Sequence, residues 1–225
     1  MEYLHQLIFG VGPYLAGTIF ILGSILRYER GQYTWRTMSS QMLHNTRTYR
    51  VGNLLFHIGI LALFFGHLFG LLTPPAFFTQ SGYAGSEAGL RNGRRWDFRR
   101  NLPGRVGNIA VAPLYGAAVQ ANSAPMDNFI LLLIFGQLLT GLFTIYVSRH
   151  HMDGLVMTEL VAWARGIVSF QGGAWMHLVE VPSSYKLHIA LGLVMFAAFP
   201  FSRLVHIWSW PWVYLRRNYQ VVRSR

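Results

Sequence analysis

Residues 54–73 read LLFHIGILALFFGHLFGLLT, a run without Asp, Glu, Lys or Arg. A membrane-spanning helix needs about 20 mostly apolar residues, and this run meets that requirement. Three more stretches do so, at about 7–26, 128–147 and 186–208. The sequence therefore predicts an all-α fold, a transmembrane helical bundle that forms one integral membrane domain over residues 1–225.

The composition of the 225 residues supports the same class of protein. Apolar residues make up 52% and charged residues only 12%, whereas average globular chains carry about 25% charged residues. The chain contains no cysteine, which excludes disulfides, thiolate-bound zinc, iron–sulfur ligation and covalent haem attachment. A redox metal would have to be held by histidine or methionine.

The net charge of +11 comes from arginines grouped in blocks beside the apolar runs. Nucleic-acid binding needs a continuous basic face, whereas basic loops beside membrane spans remain in the cytoplasm. The blocks within 27–50 and 216–225 are therefore interpreted as topology signals, and nucleic acid is not expected as a partner. This interpretation places the N-terminus outside and the C-terminus in the cytoplasm.

The predicted spans do not satisfy this topology. Residues 150–184 resemble an amphipathic segment on the outer face and do not form a span. An even number of crossings must separate the two cytoplasmic blocks, but only three spans follow the first block. Residues 74–125 contain six arginines and seven glycines and no credible span, so a span is predicted to be missing there.

Four of the nine histidines lie within, or at the edge of, the second and last spans: His57, His67, His188 and His206. An ionisable group inside a membrane is costly and usually functional. Interhelical hydrogen bonding and proton relay are the alternatives for any one of them. Two histidines on each of two helices match the four axial imidazoles that two b haems require.

Antiparallel spans predict which imidazoles face one another. His57 would pair with His206, and His67 with His188. Ten residues cover about 15 Å of helix and eighteen cover about 27 Å, so straight helices leave an axial mismatch of about 12 Å. A kink at Pro200 is expected to absorb part of it.

Two kinds of neighbouring residue are further candidates for contact with a porphyrin. Small residues on the two spans would let a flat ring approach the backbone or let helices pack closely; they are Gly59, Gly66, Gly70 and Gly192. Arg203, one turn before His206, would pair with a haem propionate or act as a topology anchor.

Several motifs of the chain resemble one known family. They are GQYTWRTMSSQML (31–43), NLLFHIGILALFFGHLFGLLTP (53–74), HMDG (151–154), KLHIALGLVMFAAFPFSRLVHIWSWP (186–211) and the tail YLRRNYQVVRSR (214–225). These stretches are similar to the gamma subunit of respiratory nitrate reductase, a dihaem cytochrome b subunit. The resemblance covers residues 1–73 and 126–225.

The resemblance implies a membrane anchor that oxidises quinol near the outer face and passes electrons inward through two b haems. The family's ligands fall on His57, His67, His188 and His206, with Gly66 and His67 beside the quinol site. The implied partners are an iron–sulfur (beta) subunit and a molybdenum-containing catalytic (alpha) subunit that reduces nitrate to nitrite. The family has five spans, of which four are clear here.

Residues 74–125 depart from the family, which has a third span and a quinol-site lysine in this interval. A compensated frameshift in the coding sequence is the hypothesis for the departure, since Arg- and Gly-rich translation is typical of GC-rich DNA read out of frame. Two alternative functions remain open. One is a dihaem subunit of a sulfite- or heterodisulfide-reductase-type complex, and the other is a haem-free transporter or structural anchor.

Overall fold

The computed structural model describes residues 2–31, 47–73, 124–148 and 155–208 of the chain. These residues are almost entirely helical, and no strand occurs among them. The all-α prediction is confirmed. The predictions for 32–46, 74–123 and 209–225 lie outside the described residues.

Five helices make up the described part of the fold. They are α1 (Glu2–Gly31), α2 (Arg47–Leu72), α3 (Pro125–Ser148), α4 (Leu155–Val168) and α5 (Ser183–Ala198). Four segments are long and apolar enough to cross a membrane: Glu2–Gly31, Leu54–Leu72, Pro125–Ser148 and Ser183–Phe201. They correspond to the four predicted spans, with α1 beginning several residues earlier than expected.

Helix α5 ends before the predicted span does. A regular helix was expected to about residue 208, but the α-helix stops at Ala198 and continues as two 3₁₀ turns, Phe199–Phe201 and Arg203–Trp208. Pro200 has no N–H to continue the helical ladder. Ser202 between the turns is extended, with φ −109° and ψ 175°, and its hydroxyl accepts from Leu204 N at 3.2 Å. The expected kink is therefore a complete break.

Helix α4 and the short 3₁₀ turn Ala174–Leu178 cover one end of the bundle, here called the α4 end. A buried apolar cluster lies there, formed by Phe9, Leu160, Trp163, Ala164, Leu178 and Val181. Trp163 Nε1 donates to Phe9 O at 3.0 Å, and Tyr14 Oη donates to Ile167 O at the same distance. Phe9 lies in a π-helical turn, Leu7–Val11, where the backbone departs from the regular α-helical ladder.

Side-chain contacts fix the direction of each helix. Tyr185 Oη, near the start of α5, donates to Thr144 O, near the end of α3, at 3.1 Å. Arg203, which follows the end of α5, pairs with Asp127 near the start of α3. Helices α3 and α5 are therefore antiparallel. The histidine contacts described below make α2 antiparallel to α5 as well. Helix α2 therefore ends at the α4 end, while α3 begins at the opposite end.

The break after α5 lies tightly against α1. A Cβ built on Gly23 would be 2.7 Å from Pro200 Cβ, closer than real Cβ contacts come. Phe20 of α1 packs edge-on against Phe196 and Phe199, with ring centroids 5.3 and 4.9 Å apart. Gly23 thus permits the close approach that holds the break in position.

Candidate functional site

The four histidines of the second and last spans meet as two pairs across α2 and the α5 segment. The ring centroids of His57 and His206 are 6.1 Å apart, and those of His67 and His188 are 6.0 Å apart. These are the partners expected from antiparallel spans. One pair lies toward the α4 end and the other toward the opposite end.

The break at Pro200 accounts for the two pairings despite the mismatch expected for straight helices. His188 lies in the first turns of α5, whereas His206 lies in the 3₁₀ turn beyond the extended residue Ser202. A straight helix would carry His206 about 12 Å too far along the axis. Because the chain changes course at Ser202, both rings reach their partners on α2.

Backbone carbonyls orient two of the rings. His67 Nδ1 is 2.7 Å from Leu63 O, and His206 Nδ1 is 2.5 Å from Arg203 O. A carbonyl oxygen only accepts, so in both rings Nδ1 carries the proton that it donates. In a neutral imidazole the lone pair is then on Nε2, the form in which histidine binds a metal.

A side chain of α3 orients a third ring. His188 Nδ1 is 3.0 Å from Thr140 Oγ1, and the ring is half-buried. Gln137 Nε2 donates to His188 O at 3.1 Å and is 3.5 Å from His188 Nε2. A Cβ on Gly141 would be 3.2 Å from His188 Cε1, so the glycine makes room for the ring.

Three glycines of α2 do not pack against another described helix. No described atom lies within 4 Å of a Cβ built on Gly59, Gly66 or Gly70. Helix α5 packs closely against α1 and α3, whereas α2 packs closely against α4. Gly192 of α5 differs, because a Cβ there would be 3.3 Å from Gln137 Nε2. Of the four candidate glycines, close helix packing therefore explains only Gly192 within the described residues.

Arg203 forms an ion pair that the sequence did not suggest. Its Nη2 is 3.0 Å from Asp127 Oδ2, and both side chains are largely buried. The same Oδ2 accepts from Ala124 N at 2.8 Å, at the start of α3. The pair ties the start of α3 to the 3₁₀ turn that carries His206.

The remaining described histidines lie apart from the two pairs. His177 Nδ1 is 2.7 Å from Glu159 Oε2 on the surface of the α4 end, and His5 packs against Phe9 and Trp175. No group of three or more His, Cys, Asp or Glu residues suited to a metal ion occurs in the part of the chain that is described. The facing imidazole pairs are thus the metal-binding candidates on these helices.

A model of the nitrate reductase gamma subunit matches residues 5–97 and 100–225. The chain belongs to the nitrate reductase gamma subunit family. Respiratory nitrate reductase 1 gamma chain of Escherichia coli (strain K12) is 41% identical, and the alignment covers all of both chains. Respiratory nitrate reductase 2 gamma chain of the same strain is 43% identical over 100% of this chain and 99% of its own. Nitrate reductase gamma chain of Bacillus subtilis (strain 168) is 32% identical over 98% of each.

The sequence of this gamma-subunit family member did not reveal the residues of α3 that contact the last span. Thr140 and Gln137 were not predicted as contact residues because isolated polar residues in an apolar run are compatible with a lipid-facing helix. Their position at mid-span could have indicated this role, since polar side chains there usually form hydrogen bonds to another helix. Asp127 was missed because it lies at a span end, where a solvated carboxylate is ordinary.

Proposed function

We propose that this gamma-subunit family member is the membrane cytochrome b subunit of a nitrate reductase. It oxidises quinol and passes electrons through two b haems to an iron–sulfur (beta) subunit and a molybdenum-containing (alpha) subunit that reduces nitrate to nitrite. The observation that carries the proposal is the pair of imidazole contacts, at 6.1 and 6.0 Å between ring centroids.

The spacing of the rings fits a bis-imidazole iron site. Two nitrogens bound to one metal at about 2 Å each put the ring centroids about 6 Å apart. The proposed ligands are His57 with His206 for one haem and His67 with His188 for the other. Haems held by these residues would supply one-electron transfer.

The chain's own residues orient the ligands and leave space beside them. Nδ1 of His67 and His206 is committed to backbone carbonyls, which leaves Nε2 for iron. The open surroundings of Gly59, Gly66 and Gly70 suit the approach of a flat macrocycle to α2. His67 and His206 thus each present an Nε2 lone pair, and no described atom approaches the three glycines of α2.

Arg203 is proposed to hold a haem propionate near His206. A guanidinium has five N–H donors in a fixed fork, a geometry that suits carboxylates. The ion pair with Asp127, at 3.0 Å, holds the Arg203 side chain beside the 3₁₀ turn that carries His206.

The two proposed haem sites would form a path for electrons through the bundle. Ten residues of α2 separate His57 from His67, about 15 Å along the helix. We assign quinol oxidation to the α4 end on the outer face, where Gly66 and His67 border the quinol site. The pair His57–His206 lies toward the cytoplasmic beta and alpha subunits. The protein would be a multi-pass protein of the bacterial cytoplasmic membrane, with its N-terminus outside and its C-terminus in the cytoplasm.

Reduced-minus-oxidised absorption of the purified chain tests the proposal. Two b haems per chain, both oxidised on adding nitrate to the assembled complex, are the expected result. A chain without haem would refute the proposal and favour a haem-free transporter or anchor. Two haems that are reoxidised by sulfite or a heterodisulfide but not by nitrate would favour the alternative, a dihaem subunit of another reductase.

A further inference from the structure

We propose that Thr140 is a positioning residue for His188: its hydroxyl fixes the tautomer and orientation of the ring and so lowers the reduction potential of the haem held by His67 and His188. The inference rests on the proposed function, because it concerns a ligand of that haem. It adds a role for α3, a helix that supplies no haem ligand.

The hydrogen bonds of Thr140 determine which atom donates. Thr140 Oγ1 is 3.0 Å from Gly136 O and 3.1 Å from Gln137 O, both in its own helix. Carbonyls only accept, and we assign the single hydroxyl proton to these two carbonyls of the α3 backbone. The hydroxyl then offers His188 only lone pairs. At 3.0 Å, His188 Nδ1 must be the donor, and Nε2 keeps the lone pair that a metal needs.

The acceptor used by His188 differs in kind from those used by its counterparts. His67 and His206 donate to backbone carbonyls of their own segments, which no substitution removes. His188 donates to a side chain of another helix, so a substitution of Thr140 can remove the acceptor while His188, the proposed haem ligand, stays unchanged. Because Thr140 itself donates to carbonyls, its oxygen is polarised into a stronger acceptor.

Two neighbours of Thr140 restrict the ring further. Gly141 leaves just enough space for the ring, since a Cβ there would be 3.2 Å from His188 Cε1. Gln137 Nε2 donates to the His188 carbonyl at 3.1 Å and fixes the backbone below the ring. The Thr140 hydroxyl is thus at a defined position on the ring edge.

The chemical effect follows from the charge on the imidazole. A hydrogen bond from Nδ1–H to an acceptor raises the basicity of the ring and its donation to the metal. Stronger donation favours the ferric over the ferrous state and lowers the reduction potential. Removing the acceptor should therefore raise the potential of this haem.

The test compares Thr140→Val with Thr144→Val in the assembled complex in membranes. Thr144 is one turn further along α3, and its hydroxyl donates to Gly141 O at 2.7 Å, so its loss controls for removing a hydroxyl from α3. Redox titration of both haems and electron paramagnetic resonance of the low-spin ferric signals are the readouts. The haem of His67 and His188 is identified as the one lost in His67→Ala.

Thr140→Val should raise the midpoint potential and change the ferric signal of that haem alone, or release it, while Thr144→Val leaves both haems as in the wild type. Thr140→Ser should restore the wild-type potential, because it keeps the hydroxyl. Wild-type values for both haems in Thr140→Val would overturn the inference and leave the proposed function intact. An altered potential in Thr140→Ser equal to that of Thr140→Val would also overturn it, because the potential would then not depend on the hydroxyl. A wild-type chain without haem would refute both.

Discussion

The Nδ1 atoms of three of the four paired histidines have identified hydrogen-bond acceptors. The rings of these histidines are therefore oriented by hydrogen bonds as well as lying close together. Undirected imidazoles would place either nitrogen toward the partner ring. Nδ1 donates a hydrogen bond in His67, His188 and His206. In each neutral ring the lone pair is therefore on Nε2. Hydrogen bonds of the chain itself therefore define the tautomer that these three rings would offer to the proposed haem irons.

Single substitutions of the four histidines should sort into two classes. His57→Ala and His206→Ala should each remove the same haem, and His67→Ala and His188→Ala should each remove the other, because a bis-imidazole site fails when either ligand is lost. Redox-resolved difference spectra of membranes give the measurement. Loss of one shared haem from His57→Ala and His67→Ala would contradict the pairing.

At the scale of elements, the break after α5 determines whether both pairs can form. Pro200 ends the helix, Ser202 turns the chain, and α1 supports the turn through the close approach of Gly23. Ser202 is buried, with 3% of its surface exposed, and its hydroxyl donates to Phe199 O at 2.8 Å. The position of His206 therefore depends on a glycine of a different helix.

Gly23→Ala should destabilise the protein by about 1–3 kcal/mol, since an added methyl forces α1 away from Pro200. Gly17→Ala is the matched control, because no described atom lies within 4 Å of a Cβ there. Denaturation followed by far-ultraviolet circular dichroism measures the difference. We also expect Gly23→Ala to weaken retention of the haem bound by His206 and to spare the other. Equal stability of the two variants would argue against a supporting role for α1.

The elements and the histidine partners could be predicted from the sequence, but the contacts of α3 could not. Hydropathy identifies spans because every backbone polar group inside a bilayer must be satisfied within a helix. Pro200 indicated a bend, whereas the extended backbone at Ser202 depends on packing against α1. Thr140 could not be assigned because the rotation of α3 is set by its neighbours rather than by its own almost uniformly apolar sequence.

At the scale of the whole molecule, the described helices show that α2 and α3 run in the same direction. Helix α2 ends at the α4 end, near Leu71, which packs on the apolar cluster there. Helix α3 starts at the opposite end, near the ion pair of Asp127 with Arg203. The two helices run parallel, so Thr73 and Ala124 lie at opposite ends of the bundle. Contrary to the expectation that the resemblance stops at residue 73 and resumes at 126, the family match covers this interval except for residues 98 and 99.

Translating the DNA across residues 74–125 in the other two frames should reveal an apolar run of about 20 residues, the length that a missing span requires. The expected run would supply the crossing that parallel α2 and α3 demand. Resequencing of the source DNA measures whether the compensating insertions and deletions are real. If neither alternative frame contains such a run, the segment is a natural variant and the frameshift hypothesis is wrong.

Lys186 is the sole lysine of the chain, and its Nζ donates to Val179 O at 2.7 Å beside the α4 end. An amine-directed reagent that does not cross membranes therefore has a single lysine target, and peptide mass spectrometry can report sidedness without an engineered tag. In the proposed orientation, labelling occurs in spheroplasts and is absent in inverted vesicles. The opposite labelling pattern would indicate the reverse orientation, with quinol oxidation on the cytoplasmic side. Protons released there would not contribute to the transmembrane proton gradient.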